Sequence, residues 1–129
     1  MLRRLILTAA LTTALTLTGS GAVHAAGCKV PASLRLGVPF VERISTTNVG
    51  CDVGRDVARG IIRRYDAGKP IAAEIGAPQP TFAVRAVRGR RHVYFTCRGR
   101  YVELNPDGDL AYELRCTQRT RMVRLLLYS

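Results

Sequence analysis

The run CDVGRDVARGIIRRYDAG, Cys51 to Gly68, restricts the possible folds more than any other part of the chain. At about 100° per residue, Cys51, Val53, Gly54, Val57, Ala58, Ile61, Ile62 and Tyr65 gather on one half of a helical wheel. Asp52, Arg55, Asp56, Arg59, Arg63 and Asp66 take the other half, with Arg64 at the apolar edge. Thr47 or Asn48 is placed to cap the start, and Gly68 before Lys69-Pro70 supplies a stop. A helix with one apolar face needs an apolar surface to cover, and the chain beyond residue 80 alternates in the manner of strands. The expected fold is therefore α+β, one amphipathic helix packed on an antiparallel meander of roughly four to five strands.

The turns set a register. In Arg88-Gly89-Arg90-Arg91 the central Gly-Arg fits a two-residue hairpin with glycine first, as a type II′ turn prefers. Pairing Arg88 with Arg91 sets Ala86 opposite Val93, Val84 opposite Phe95 and Phe82 opposite Cys97, all apolar and on one face. Asn105-Pro106-Asp107-Gly108 fits a type I turn followed by a left-handed glycine. That turn pairs Asn105 with Asp109, Leu104 with Leu110 and Val102 with Tyr112.

Val93, Phe95 and Cys97 are odd-numbered while Val102 and Leu104 are even, so the alternation predicts one extra residue between them, at Gly99. The slip brings Cys97 opposite Cys116 and predicts a bridge there, with Cys28–Cys51 following by exclusion. Each bridge closes a loop of about 20 residues, worth roughly 3 kcal/mol on the entropic model. Arg121 to Tyr128 forms the last strand, whose Val123, Leu125 and Leu127 join Leu110, Tyr112, Leu114, Phe95 and Val93 as the floor beneath the helix. Upstream, Leu34 to Thr46 has the composition of a strand interrupted at Pro39, hence an edge, and residues 26–33 form an arm.

The first residues predict export. Arg3-Arg4, an apolar run from Leu5 to Leu17 and small residues up to Ala26 make a signal peptide, residues 1–25, with Val23-His24-Ala25 as the cleavage site. The alternative is a lipid anchor on Cys28, in Ala25-Ala26-Gly27-Cys28, which would leave an odd number of cysteines for pairing. Residues 26–129 then form a single domain with 18 basic residues against 9 acids, a net charge of +9. Arginine dominates the basic set, as a GC-rich genome would also produce.

Catalytic groups are scarce. Ser33, Ser45 and Ser129 lie in no Gly-x-Ser-x-Gly setting, and the cysteines are better explained as disulfides than as thiolates. No Cys-x-x-Cys pair and one histidine beyond the signal, His92, give no metal site and imply no cofactor. A small ribonuclease could draw on His92, Glu103 or Glu113, and Arg85 or Arg115, by residue type alone. A protease inhibitor could present the proline-bearing connector Ile71 to Thr81.

The charge pattern points elsewhere. Arg85, Arg88, Arg90, Arg91, Arg98 and Arg100 occur without an acid between residues 75 and 102, and Arg115 and Arg124 fall in a second acid-free run after Glu113. These eight are the candidate anion-binding residues, with Tyr94 and Tyr128 on the same outward face and His92 near its edge. The leading expectation is a non-enzymatic extracellular binding module whose partner is an anionic surface polymer or a protein. Cys51-x-x-Gly54-x-x-Val57-Ala58, then Phe95-x-Cys97 and a terminal hairpin carrying Cys116, resembles small two-disulfide exported proteins of high-GC Gram-positive bacteria. That resemblance implies a compartment and a scaffold, and no activity.

Overall fold

The computed structural model describes residues 25–74, 76–103 and 110–129. The signal peptide and the Asn105–Gly108 turn expected from the sequence lie outside the described residues. Six strands make one antiparallel sheet: β1 (Ala26–Cys28), β2 (Phe40–Thr47), β3 (Thr81–Arg88), β4 (Arg91–Glu103), β5 (Leu110–Gln118) and β6 (Arg121–Tyr128), in the spatial order β1-β2-β6-β5-β4-β3. The one α-helix among the described residues, α1 (Cys51–Asp66), carries the chain from β2 across one face to β3 at the far edge. The class is α+β with two disulfides, as expected, with six strands rather than four or five because residues 26–28 pair with 44–46.

The wheel read from the sequence is the wheel observed. Val53, Gly54, Val57, Ala58 and Ile61 are buried, and Ile62 and Tyr65 pack at the margin. Beneath them lie Val41, Ile44, Val84, Phe95, Leu114, Val123, Leu125 and Leu127, all nearly inaccessible. A β-carbon on Gly60 would overlap the Val84 side chain, so the helix rides close to the sheet there. Arg64, at the apolar edge, lays its guanidinium 4.2 Å from the Phe82 ring centroid and donates through Nε to the Pro70 carbonyl at 2.9 Å. Gly68, at φ 75°, stops the helix as expected, its N–H donating to the Tyr65 carbonyl.

Both bridges form as expected, Cys97–Cys116 within the β4–β5 ladder and Cys28–Cys51 between β1 and the start of α1. The β3–β4 hairpin holds the expected register, and positive φ falls on Gly89 but not on Arg90, as a type II′ turn requires.

Four expectations are corrected. There is no bulge at Gly99: β4 and β5 pair without a shift, Cys97 with Cys116, Gly99 with Leu114, Tyr101 with Tyr112 and Val102 with Ala111. Gly99 is needed for a close backbone approach instead, since a β-carbon there would overlap the Ile71 carbonyl. The connector crosses at this point, with Ala73 N–H donating to Gly99 O and Tyr101 N–H donating to Ala73 O. Tyr101, not Val102, turns to the helix side, and Leu110 is 39% exposed where the floor ends.

The strand after Pro39 is not an edge. It begins at Phe40 and lies between β1 and β6, so the missing proline N–H falls outside the ladder. Nor does Thr47 or Asn48 cap α1. Gly50 occupies that position without a side-chain bond, while Asn48 Nδ2 donates to the Thr120 carbonyl at 3.0 Å.

Candidate anion-binding face

With α1 on one side of the sheet, the alternation of each strand sends the remaining side chains to the opposite, open side. The register decides which of them stand together. Arg98 on β4 pairs with Arg115 on β5, and Arg115 pairs with Arg124 on β6. Three arginines therefore stand side by side across three adjacent strands, with Thr81 and Ser45 as the next residues outward on β3 and β2. Neighbouring strands are about 4.8 Å apart, so the row spans roughly 10 Å between its outer α-carbons.

One step along the strands runs a second row, Thr47, Met122, Thr117, Thr96 and Ala83. Thr96, Thr117, Arg98, Arg115 and Gln79 line an open hollow of about 440 Å³. Arg124 leans toward this row, its Nε donating to Met122 Sδ at 3.2 Å. On the other side of the arginine row, Arg100 and Glu113 form an ion pair at 3.2 Å. It is the only salt bridge among the described residues, and none of the three arginines of the row takes part in it, although Glu113 borders the hollows beside them.

The other candidate residues are distributed unevenly. Arg85 is opposite Tyr94, a residue 59% exposed, so a planar aromatic and a cation flank the threonine row. Tyr128 packs edge-on against Phe40, their centroids 5.3 Å apart, and is half-buried rather than free. Arg88, Arg90 and Arg91 sit at the β3–β4 turn. Arg91 is seven residues before Arg98 along β4, about 23 Å at the rise of an extended strand, so this group and the arginine row are separate.

The same spacing separates the acid–base candidates. His92 is eight residues before Arg100, the cross-strand partner of Glu113, or about 26 Å along the sheet, and Glu103 lies further along the same strand. Groups that far apart cannot serve one scissile bond. No cluster of three His, Cys, Asp or Glu able to hold a metal occurs among the described residues. In the connector, Ile71 is buried and Ala73 is hydrogen-bonded to β4, while Glu74, Gly76 to Gln79 and Thr81 are exposed.

Reasoning from the sequence picked out Arg98, Arg115 and Arg124 as basic residues but not as a row, because the row depends on how β6 pairs with β5. It missed Thr96, Thr117 and Gln79 altogether. Once the register is known, their parity with Arg98 and Arg115 identifies the threonines. No protein-family model, curated protein or solved structure matches the chain, so the geometry has to speak for itself.

Proposed function

We propose that the chain is an exported, non-catalytic binding module that takes a linear polyanion across its open sheet face. The observation that carries this is the alignment of Arg98, Arg115 and Arg124 on three successive strands. Like charges directly opposite one another on a sheet destabilise it, and an anionic chain lying across the strands would reverse the sign of that interaction. Guanidinia on strands about 4.8 Å apart suit a polymer whose phosphates or sulfates recur every few ångströms. Thr96 and Thr117 add hydroxyl donors beside the row, and Tyr94 offers a flat apolar surface further along.

Export agrees with two further features. Both disulfides are of the kind oxidising compartments allow, and no helix among the described residues is long and apolar enough to cross a membrane. The Cys28 sulfur is bonded to Cys51, so a lipid thioether at that atom and this bridge exclude one another.

The test is retention on heparin and binding to single-stranded DNA over a range of salt. Neutralising three phosphates changes the slope of log K against log salt by about −0.7 each, roughly −2 in all. A variant combining Arg98→Gln, Arg115→Gln and Arg124→Gln should lose about that much slope, while Arg90→Gln at the turn should not. An unchanged slope in the triple variant would remove the proposal.

A further inference from the structure

A second basic feature lies at the opposite end of β4. Arg88 and Arg91 from the β3–β4 hairpin meet Arg119 and Arg121 from the β5–β6 hairpin around a hollow of about 450 Å³, with Val93 and Gln118 completing its wall. Among the described residues, no carboxylate lines it. Asp56, which α1 brings to the nearby end of β3, accepts a hydrogen bond from the Val87 N–H at 2.6 Å and is thereby engaged. Arg121 Nη1 donates to Gln118 Oε1 at 3.0 Å, which holds that side chain in place and leaves its remaining N–H groups available.

The two hairpins provide an internal comparison. Each turns through two residues, Gly89-Arg90 and Arg119-Thr120, and in each the first of the pair has a positive φ, 62° for Gly89 and 54° for Arg119. Glycine adopts that conformation freely, whereas a residue with a β-carbon is strained there by about 1 kcal/mol or more. The β5–β6 turn therefore keeps an arginine where glycine would fold more easily. Asn48 anchors the same turn by its bond to the Thr120 carbonyl. Strain retained at a charged residue on the rim of a hollow that four arginines line is the pattern of a site rather than of a plain turn.

We propose that this hollow is a second anion site, distinct from the open face, built for a compact oxyanion of high charge: a phosphate monoester or pyrophosphate group. Four arginines that two turns bring to one hollow match a small body with several oxygens, each able to receive a forked pair of N–H bonds. A row across a flat sheet matches an extended chain instead. The site does not rest on the open-face proposal, and either could exist without the other.

Pyrophosphate is the probe, titrated into the oxidised protein while the arginine Nε–Hε and backbone amide resonances are followed. Saturable shifts are expected at Arg88, Arg91, Arg119 and Arg121. Arg91→Gln combined with Arg121→Gln should weaken binding at least about tenfold, as removal of charge-assisted bonds does. Arg119→Gly should weaken binding too while leaving the melting temperature equal or higher, because it relieves the turn. The open-face triple variant should bind pyrophosphate within about twofold of the parent. Three results would overturn the site: no saturable shift in the parent, equal loss in the open-face variant, or full affinity in Arg119→Gly. Heparin retention is measured separately, so failure here leaves the open-face proposal standing, and the reverse also holds.

Discussion

Single atoms decide two features of this molecule. Gly99 meets the Ile71 carbonyl so closely that no side chain fits, and both partners are backbone, so neither can rotate away. Gly99→Ala should therefore cost about 1–3 kcal/mol, as overpacking does. Gly27→Ala, where a β-carbon meets nothing within 4 Å, should stay within about 0.5 kcal/mol. Urea midpoints compare the two, and equal midpoints would mean that the connector does not press on β4. The second feature is Tyr101, whose phenol is pushed above its usual pKa of 10.0 first by burial and then by the neighbouring Tyr112 phenol, 4.8 Å away between ring centroids. Folding thus favours the neutral phenol. That contribution is complete below pH 10, the unfolded value, and is lost as pH rises from there through the raised folded value. Stability should fall along that alkaline limb, and Tyr101→Phe should flatten it. A parallel fall in the variant would place the titration elsewhere.

At the scale of elements, legibility followed periodicity. Sixteen helical residues with one apolar stripe could be placed, faced and terminated from the sequence, because every burial position repeats the same angular rule. The β3–β4 hairpin was equally readable, since its glycine dictates the turn and the turn dictates the pairing. Gly99 misled because a glycine within a strand has two physical causes, a bulge or a close neighbour, and the alternation of Val102 and Leu104 favoured the wrong one. Strand β1 was invisible for another reason. Its three residues, Ala-Gly-Cys, carry no alternation, and it is held by partners rather than by propensity. Those partners are the β2 backbone and the Cys28–Cys51 bridge across 23 residues of chain. Replacing Cys28 and Cys51 together by serine should cost about 3 kcal/mol on the loop-entropy model and expose the β1–β2 amides to hydrogen exchange. Exchange that left those amides as protected as before would show that β1 pairs without its staple.

Over the whole molecule, the division between faces separates stability from the proposed function. The side under α1 holds the buried apolar residues, while the open side holds Arg98, Arg115 and Arg124 in mutual repulsion. Composition announced an arginine excess, yet it could not say that three of them align. Alignment is a property of the β4-β5-β6 order, which arises from pairings between residues distant in the chain. A face of this kind makes a prediction that an ordinary solvated surface does not. Without ligand at low salt, the triple glutamine variant at these positions should be as stable as the parent or more so, because it removes like-charge neighbours. Added heparin should reverse the ranking. A ligand present at about 100 times its dissociation constant stabilises the binding form by about 2.7 kcal/mol, and the variant should gain little of this. Raising the salt should then bring the two proteins together from both directions, by screening the repulsion in one experiment and the binding in the other. Thermal unfolding at two salt concentrations, with and without heparin, reads all four quantities. A variant less stable than the parent in the absence of ligand would mean that the arginines contribute to packing through their stems, and the face would no longer need an anion to account for it.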